Sequence, residues 1–174
     1  MVEGHKRHTH EHRKDLAGEH RWSDTGQIIF LIVFIIGMIS DLFLVKLSSS
    51  WQDTFPWYYR IVVFIPIFCI AGYFGQRSHN IIFKEERHKL MVIQNDVYAR
   101  IRHPMYFGSI LTYLGFVILS LSVIALVIFI MVVIFYYYIC RYEEKVLIEK
   151  LGNSYREYMK KVPMLIPYKS VKKD

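Results

Sequence analysis

Apolar positions in this chain are clumped rather than spread in short amphipathic periods. Residues 28–45, 57–75 and 106–138 are nearly free of charge, with Asp41 and Arg60 as the interruptions. Uncharged apolar runs of about 18 residues or more read as membrane spans. The first span is predicted over about 27–46, opened by Trp22 and closed near Lys46, and the second over about 57–76, followed by Gln76-Arg77. Between them Ser48 to Pro56 is rich in turn formers. Trp51, Trp57 and Tyr58 suit an interfacial aromatic belt, and Arg60, one turn inside, can snorkel to the same interface. As a single helix the third run, Tyr106 to Tyr138, would be about 50 Å long, against a hydrocarbon core of about 30 Å. Split at Leu119-Ser120-Leu121-Ser122 it becomes a helical hairpin with arms of about 104–119 and 123–140, the first arm short.

Composition fits that division. The 174 residues are 53% hydrophobic, 16% aromatic and 21% charged, with a net charge of +7. The clumping excludes an ordinary soluble globule, a disordered chain and, despite the basic charge, a nucleic-acid module. The expected fold is all-α and integral to the membrane. It has about four transmembrane helices, the last two a tight hairpin, and a cytoplasmic C-terminal amphipathic helix. Residues 27–167 form one domain between a polar His-rich basic tail (1–26) and a basic tail (168–174). Five Lys/Arg precede the first span, six lie in 76–105 and nine follow from Arg141, whereas the other connections hold only Lys46 and Arg60. The positive-inside rule then puts both termini and the 76–105 loop in the cytoplasm. His5, His8, His10, His12 and His20 read as a solvated arm rather than a metal site or a signal peptide. Cys69 and Cys140 read as small buried hydrophobes. No metal is expected.

Two cytoplasmic clusters carry candidate chemistry: Arg102-His103-Pro104-Met105-Tyr106 before the hairpin and Arg141-Tyr142-Glu143-Glu144 after it. The mean of 103 and 143 is 123, just past the proposed turn, so a hairpin folded there brings His103 close to Glu143. Pro104 suits the first helical position. The helix start at His103 would turn unpaired N–H groups and a positive dipole end toward a carboxylate or phosphate. Glu143 and Glu144 are expected at a C-terminal helix end, where they need a cation from Arg102, Arg141, Lys145 or a ligand.

The run Arg102-His103-Pro104-Met105-Tyr106-Phe107-Gly108, then Glu143-Glu144, then Leu151-Gly152-Asn153-Ser154-Tyr155-Arg156-Glu157-Tyr158, Val162-Pro163 and Ile166-Pro167, resembles the isoprenylcysteine carboxyl methyltransferase family. It is similar also to the wider group of membrane methyltransferases that includes phospholipid N-methyltransferases. The likeness covers about residues 87–167. It implies an enzyme that takes S-adenosylmethionine from the cytosol and a lipidated or lipid substrate from the bilayer. The residues it implies for the cofactor are His88, Lys89, Leu90, Tyr98, His103, Pro104, Met105, Tyr106, Glu143 and Glu144. Arg102, His103 and Glu144 would serve catalysis and Arg141 the substrate.

Three departures stand out. Asp96 occupies a turn position, two before Tyr98, that is often Gly in the family. The stretch from His88 to Tyr98 is about two residues longer than in the eukaryotic prenylcysteine enzymes. Ile139 stands where those enzymes carry an arginine that engages the substrate. Methyl transfer from a sulfonium is an in-line displacement with the reacting atoms about 3–3.5 Å apart. A carboxylate acceptor needs no base, whereas an amine would need one, with Glu144 or His103 as candidates. The leading expectation is carboxyl O-methylation of an isoprenylated cysteine or similar lipid-linked carboxylate. The alternatives are a phospholipid (phosphatidylethanolamine-type) N-methyltransferase, and a non-catalytic or reductase-like relative of the fold.

Overall fold

The computed structural model describes residues 21–83 and 91–167, and within them the chain is helical wherever the apolar runs lie. Helix α1 (Arg21–Ser40) continues into one π-helical turn, Asp41–Val45, that ends at Lys46 in the left-handed region (φ 55°). A short α2 (Ser49–Thr54) leads to α3 (Trp57–Phe83), then a 3-10 turn (Asp96–Ala99), α4 (Pro104–Ser120), α5 (Val123–Leu151) and α6 (Asn153–Lys161). Three segments are long and apolar enough to cross a membrane: Thr25–Val45, Trp57–Ile82 and Val123–Leu151. The fourth apolar helix, α4, has 17 residues, which gives it a length of about 25 Å.

The hairpin forms where the length arithmetic puts it. Helix α4 ends at Ser120, Leu121 turns the chain with φ 51°, and Ser122 caps α5 by accepting the Ala125 N–H at 3.1 Å. A serine hydroxyl is a favourable acceptor for such an orphan donor. Helix α3 lies along α4, and small residues let their backbones approach. A Cβ added at Gly108 would sit 2.9 Å from the Ala71 carbonyl and 3.0 Å from the Gly75 nitrogen. Small residues at helix interfaces serve this purpose within membranes, where apolar burial gives no drive between helices. Helix α1 lies along α5, with Phe30 against Phe135, and its Phe34 also meets Tyr113 of α4 edge-on.

The inward stripe of α5 is Ala125, Ile128, Val132, Tyr136, Cys140 and Glu144. It repeats every three or four residues, the period of one helix face. Its last member is a carboxylate, so the stripe runs from an apolar core directly into a buried charge. Helix α5 also does not stop at the apolar boundary near residue 140. It runs on to Leu151, which corrects the expected C-terminal helix end at Glu143-Glu144 and places both acids in the helix interior. Gly152, at φ 59°, then turns the chain into α6, whose Tyr155 and Tyr158 are buried.

The turn end of the hairpin holds a polar cluster that the sequence reading passed over. Asp41 is fully buried, and its Oδ2 accepts from the hydroxyls of Ser48 and Ser122, each at 2.5 Å. Ser48 Oγ in turn accepts the Val123 N–H at 2.8 Å. The carboxylate therefore sits at the amino end of α5, where the helix dipole favours a negative charge. Nearby, Arg60 Nη1 donates to the Leu119 carbonyl at 3.1 Å, and Gln52 Nε2 donates to the Ser120 carbonyl at 3.2 Å. These donors satisfy orphan carbonyls at the end of α4. Arg60 thus turns to the α4 terminus.

Candidate active site

At the other end of the hairpin the Arg102-His103 pair meets Glu143-Glu144. Arg102 precedes His103, which is the N-cap of α4, with Pro104 in the first turn. The backbone is held there by the C-terminal segment: Arg102 N–H donates to the Pro163 carbonyl at 2.9 Å and His103 N–H to the Met164 carbonyl at 3.1 Å. The His103 amide, expected to face a ligand, is taken by this strap. Pro104 has no N–H, so the next amide of α4 is that of Met105, two residues on.

The side chains form two tiers. In the inner one, Arg102 Nη2 lies 2.8 Å from Glu144 Oε1, and Arg102 Nη1 donates to the Met159 carbonyl at 2.9 Å. Glu144 is only 2% exposed and Arg102 is nearly as buried. The pair ties α5 to α6 and acts as a strut. In the outer tier His103 Nδ1 stands 3.5 Å from Glu143 Oε2, and Tyr106 donates to Glu143 Oε1. His103 Nε2 bridges the tiers at 3.4 Å from Glu144 Oε1. Arg141 is mostly exposed, with Nη1 4.0 Å from Glu144 Oε2.

Burial alone would push the His103 imidazole down. Its interactions with Cys140, Glu143 and Glu144 outweigh that and hold it well above the ordinary histidine value of 6.5. An opposite charge and hydrogen bonding to the charged form both act in this direction. Two carboxylates within 3.5 Å of its ring nitrogens favour the charged form of His103, which works against a role as a base. Burial also pushes the Tyr155 and Tyr158 phenols up, so both stay protonated. Tyr158 donates to the Tyr98 carbonyl at 2.6 Å.

Among the described residues, six buried side-chain atoms lack an aligned hydrogen-bond partner: Asp41 Oδ1 and Arg60 Nε at the turn end of the hairpin, and His103 Nε2, Arg102 Nε and both Glu144 carboxylate oxygens here. Unsatisfied buried polar atoms are costly, and the last four lie within one charged cluster. Their donors and acceptors suit a zwitterionic ligand.

The structure thus brings together Arg102, His103, Pro104, Tyr106, Glu143 and Glu144, with Met105 in the same first turn and Arg141 at the rim. Tyr98 lies apart, packed with Phe74, Ile81, Val97 and Ile101. His88, Lys89 and Leu90 fall outside the described residues. Asp96 explains its own departure from glycine. Its φ is 55°, in the region that glycine favours, and its carboxylate pairs with Arg77 at 2.6 Å. An Asp is one of the few side chains to tolerate that conformation, and the ion pair adds a second anchor.

With this geometry in place, comparison with known proteins is informative. The sequence profile of the phospholipid methyltransferase family matches residues 58–154, more than half of the chain and all of the charged cluster. The chain belongs to that family. It is 28% identical over 147 residues to a methanethiol S-methyltransferase of Crocosphaera subtropica, a match covering 82% of this chain and 48% of that protein. It is similar to two proteins named protein-S-isoprenylcysteine O-methyltransferase. The Schizosaccharomyces pombe protein is 31% identical over 94 residues (53% of this chain, 40% of that one). The Saccharomyces cerevisiae protein is 39% identical over 92 residues (52% and 38%). The chain spans about half, or less, of the length of each of these relatives.

Proposed function

We propose that the protein is an integral membrane methyltransferase that takes its methyl group from S-adenosylmethionine. Its acceptor is the carboxyl group of an isoprenylated cysteine or a similar lipid-linked carboxylate. One observation carries the reading: a buried cluster of two carboxylates, a histidine and an arginine sits where two apolar helices emerge from their lipid-facing length. Similarity to two isoprenylcysteine O-methyltransferases over about half of the chain gives the acceptor class. The Lys/Arg distribution supports a cytoplasmic placement of this end of the molecule and of both termini.

Glu143, less enclosed than Glu144, would hold the donor's cationic amino group, and the first turn of α4 at Met105 and Tyr106 would face its carboxylate. Tyr98 and the His88-Lys89-Leu90 stretch complete the proposed cofactor set. The bound donor supplies an electrophilic methyl carbon. A carboxylate acceptor is already ionised, so this chain's residues need only align it and exclude water. Arg141, the exposed cation at the rim, is proposed to receive that carboxylate, since isoleucine at 139 cannot hold it bidentately. His103 and Glu144 are poor bases for an amine acceptor, the first because two carboxylates favour its charged form, the second because Arg102 is bound to it. Phospholipid N-methylation remains the second reading, favoured by Ile139.

The full chain, purified in lipid nanodiscs, should transfer label from S-adenosylmethionine to a farnesylcysteine analogue as a base-labile ester, and turnover should rise with Ile139→Arg. Transfer to phosphatidylethanolamine in a parallel reaction, with none to the prenylcysteine, would reverse the order of the two readings.

A further inference from the structure

Helix α1 lies wholly outside the family-matched segment, yet it reaches toward the site through one polar residue. Tyr136, on the same inward stripe of α5 as Cys140 and Glu144, is 3% exposed and donates its hydroxyl to Gln27 Oε1 at 3.4 Å. The Tyr136 ring lies against the Tyr106 ring, with centroids 5.3 Å apart and planes at 35°. Tyr106 in turn stacks on His103 at 5.9 Å and 17°, and its hydroxyl donates to Glu143. The approach of α1 to α5 at this level depends on Gly26, where a methyl group would collide with the Phe135 ring. A glycine next to Gln27 lets α1 come within reach of the stack.

We propose that Gln27 is a positioning residue for the methyl-transfer reaction: through Tyr136 it sets the tilt of the Tyr106 ring and so the placement of the Glu143 carboxylate. The inference rests on the reading of this site given above. A hydrogen bond of 3.4 Å is long for a hydroxyl donor, whose usual distance is about 2.7–2.8 Å. Such a bond adds little to stability, so its effect should appear in the orientation of the aromatic stack. A misplacement small on the scale of an atom is enough to slow an aligned displacement.

The test uses the full chain in nanodiscs with Gln27→Met, Tyr136→Phe, the double variant and Gln27→Glu. Each assay measures kcat, the KM for S-adenosylmethionine, S-adenosylhomocysteine affinity and the thermal midpoint. Gln27→Met and Tyr136→Phe should each lower kcat about three- to tenfold, the range a single neutral hydrogen bond spans. S-adenosylhomocysteine affinity, which depends on Glu143, should fall by no more than kcat does, and the thermal midpoint should stay near wild type. The double variant should be no slower than the worse single one, because both break the same link. Gln27→Glu, which keeps an acceptor oxygen, should recover most of the rate. Multiplying effects, an unchanged kcat, or losses confined to the thermal midpoint would overturn the role of Gln27 while leaving the site reading intact. A wild-type chain that neither binds S-adenosylhomocysteine nor methylates any acceptor would overturn both.

Discussion

The two ends of the α4–α5 hairpin each bury a carboxylate, and they do so by opposite means. At the turn, Asp41 is held by two serine hydroxyls and the amino end of α5, and among the described residues no lysine or arginine pairs with it. At the open end, Glu144 is crowded by Arg102, His103 and Arg141, yet neither of its oxygens has an aligned hydrogen bond. The first arrangement fixes one oxygen, Oδ2, with two neutral hydroxyls and leaves Oδ1 buried without an aligned partner, and it sets no cation beside the acid. The second has excess charge, unsatisfied atoms and a neighbour, Glu143, that keeps some exposure. A buried acid held by neutral hydroxyls marks a joint, whereas one crowded by cations beside a second, more accessible carboxylate marks a place where a charged ligand completes the network.

Removing the carboxylate at the open end should have the largest effect. Glu144→Ala leaves Arg102 and His103 buried without their anion, and breaking one side of a buried ion pair costs about 3–5 kcal/mol. A large drop in thermal midpoint, or failure to purify as a monodisperse species, is expected. Arg102→Met in the same background should recover part of the loss, since the uncompensated cation is gone. A midpoint for Glu144→Ala within a degree or two of wild type would show that the strut holds nothing.

Next comes a pair of variants that separates joint from site. Asp41→Asn keeps the shape but weakens two charge-assisted hydrogen bonds, each worth about 1.5–3 kcal/mol. It should lower the thermal midpoint while leaving S-adenosylhomocysteine affinity unchanged. Glu143→Gln should do the reverse, reducing affinity about ten- to a hundredfold by calorimetry with a small change in midpoint. If both variants moved the same observable, the contrast between the two ends would collapse.

Much of this was legible in the sequence, and the misses have physical causes. The hairpin followed from a run too long for one bilayer crossing, and the meeting of His103 with Glu143 followed from its midpoint. The Asp41 cluster did not, because its partners Ser48 and Ser122 lie 7 and 81 positions away in the chain and serines carry no periodic signal. The continuation of α5 to Leu151 was missed because the charges from Arg141 onward mark a change of solvent, not of backbone. Glu, Lys and Leu all favour helix, so the helix passes through that boundary. The strap of Pro163 and Met164 on Arg102 and His103 is a pair of backbone hydrogen bonds between distant irregular segments, which neither a helical nor a strand period reveals.

The pH dependence should be smaller and of definite sign. His103 is held above its ordinary value of 6.5 in the folded protein. A group whose pKa is raised by folding adds stability that is fully present below the unfolded value and is lost as pH climbs through the folded one. Stability should therefore decline from about neutral pH upward, and His103→Gln should flatten that decline while lowering the plateau below pH 6.5. A wild-type protein whose thermal midpoint rises over the same range would show that His103 is neutral when folded, and would return it to the list of possible bases.

The smallest effect is expected at Asp96, where two terms oppose each other. At φ 55° a glycine relieves the left-handed conformation that an Asp adopts at some cost, but the substitution also removes the ion pair with Arg77. The arginine is about half exposed, and pairs of that kind contribute about 0–1 kcal/mol because solvent screens them. The conformational gain from glycine is of similar size and is offset by the freedom glycine adds to the unfolded chain. Asp96→Gly should thus shift the thermal midpoint by no more than a few degrees in either direction. Asp96→Val, which loses the pair and places a β-branched residue at positive φ, should fall clearly below both. Equal midpoints for the valine and glycine variants would mean that the turn is not held in the left-handed region, and that Asp96 stands in for glycine for some other reason.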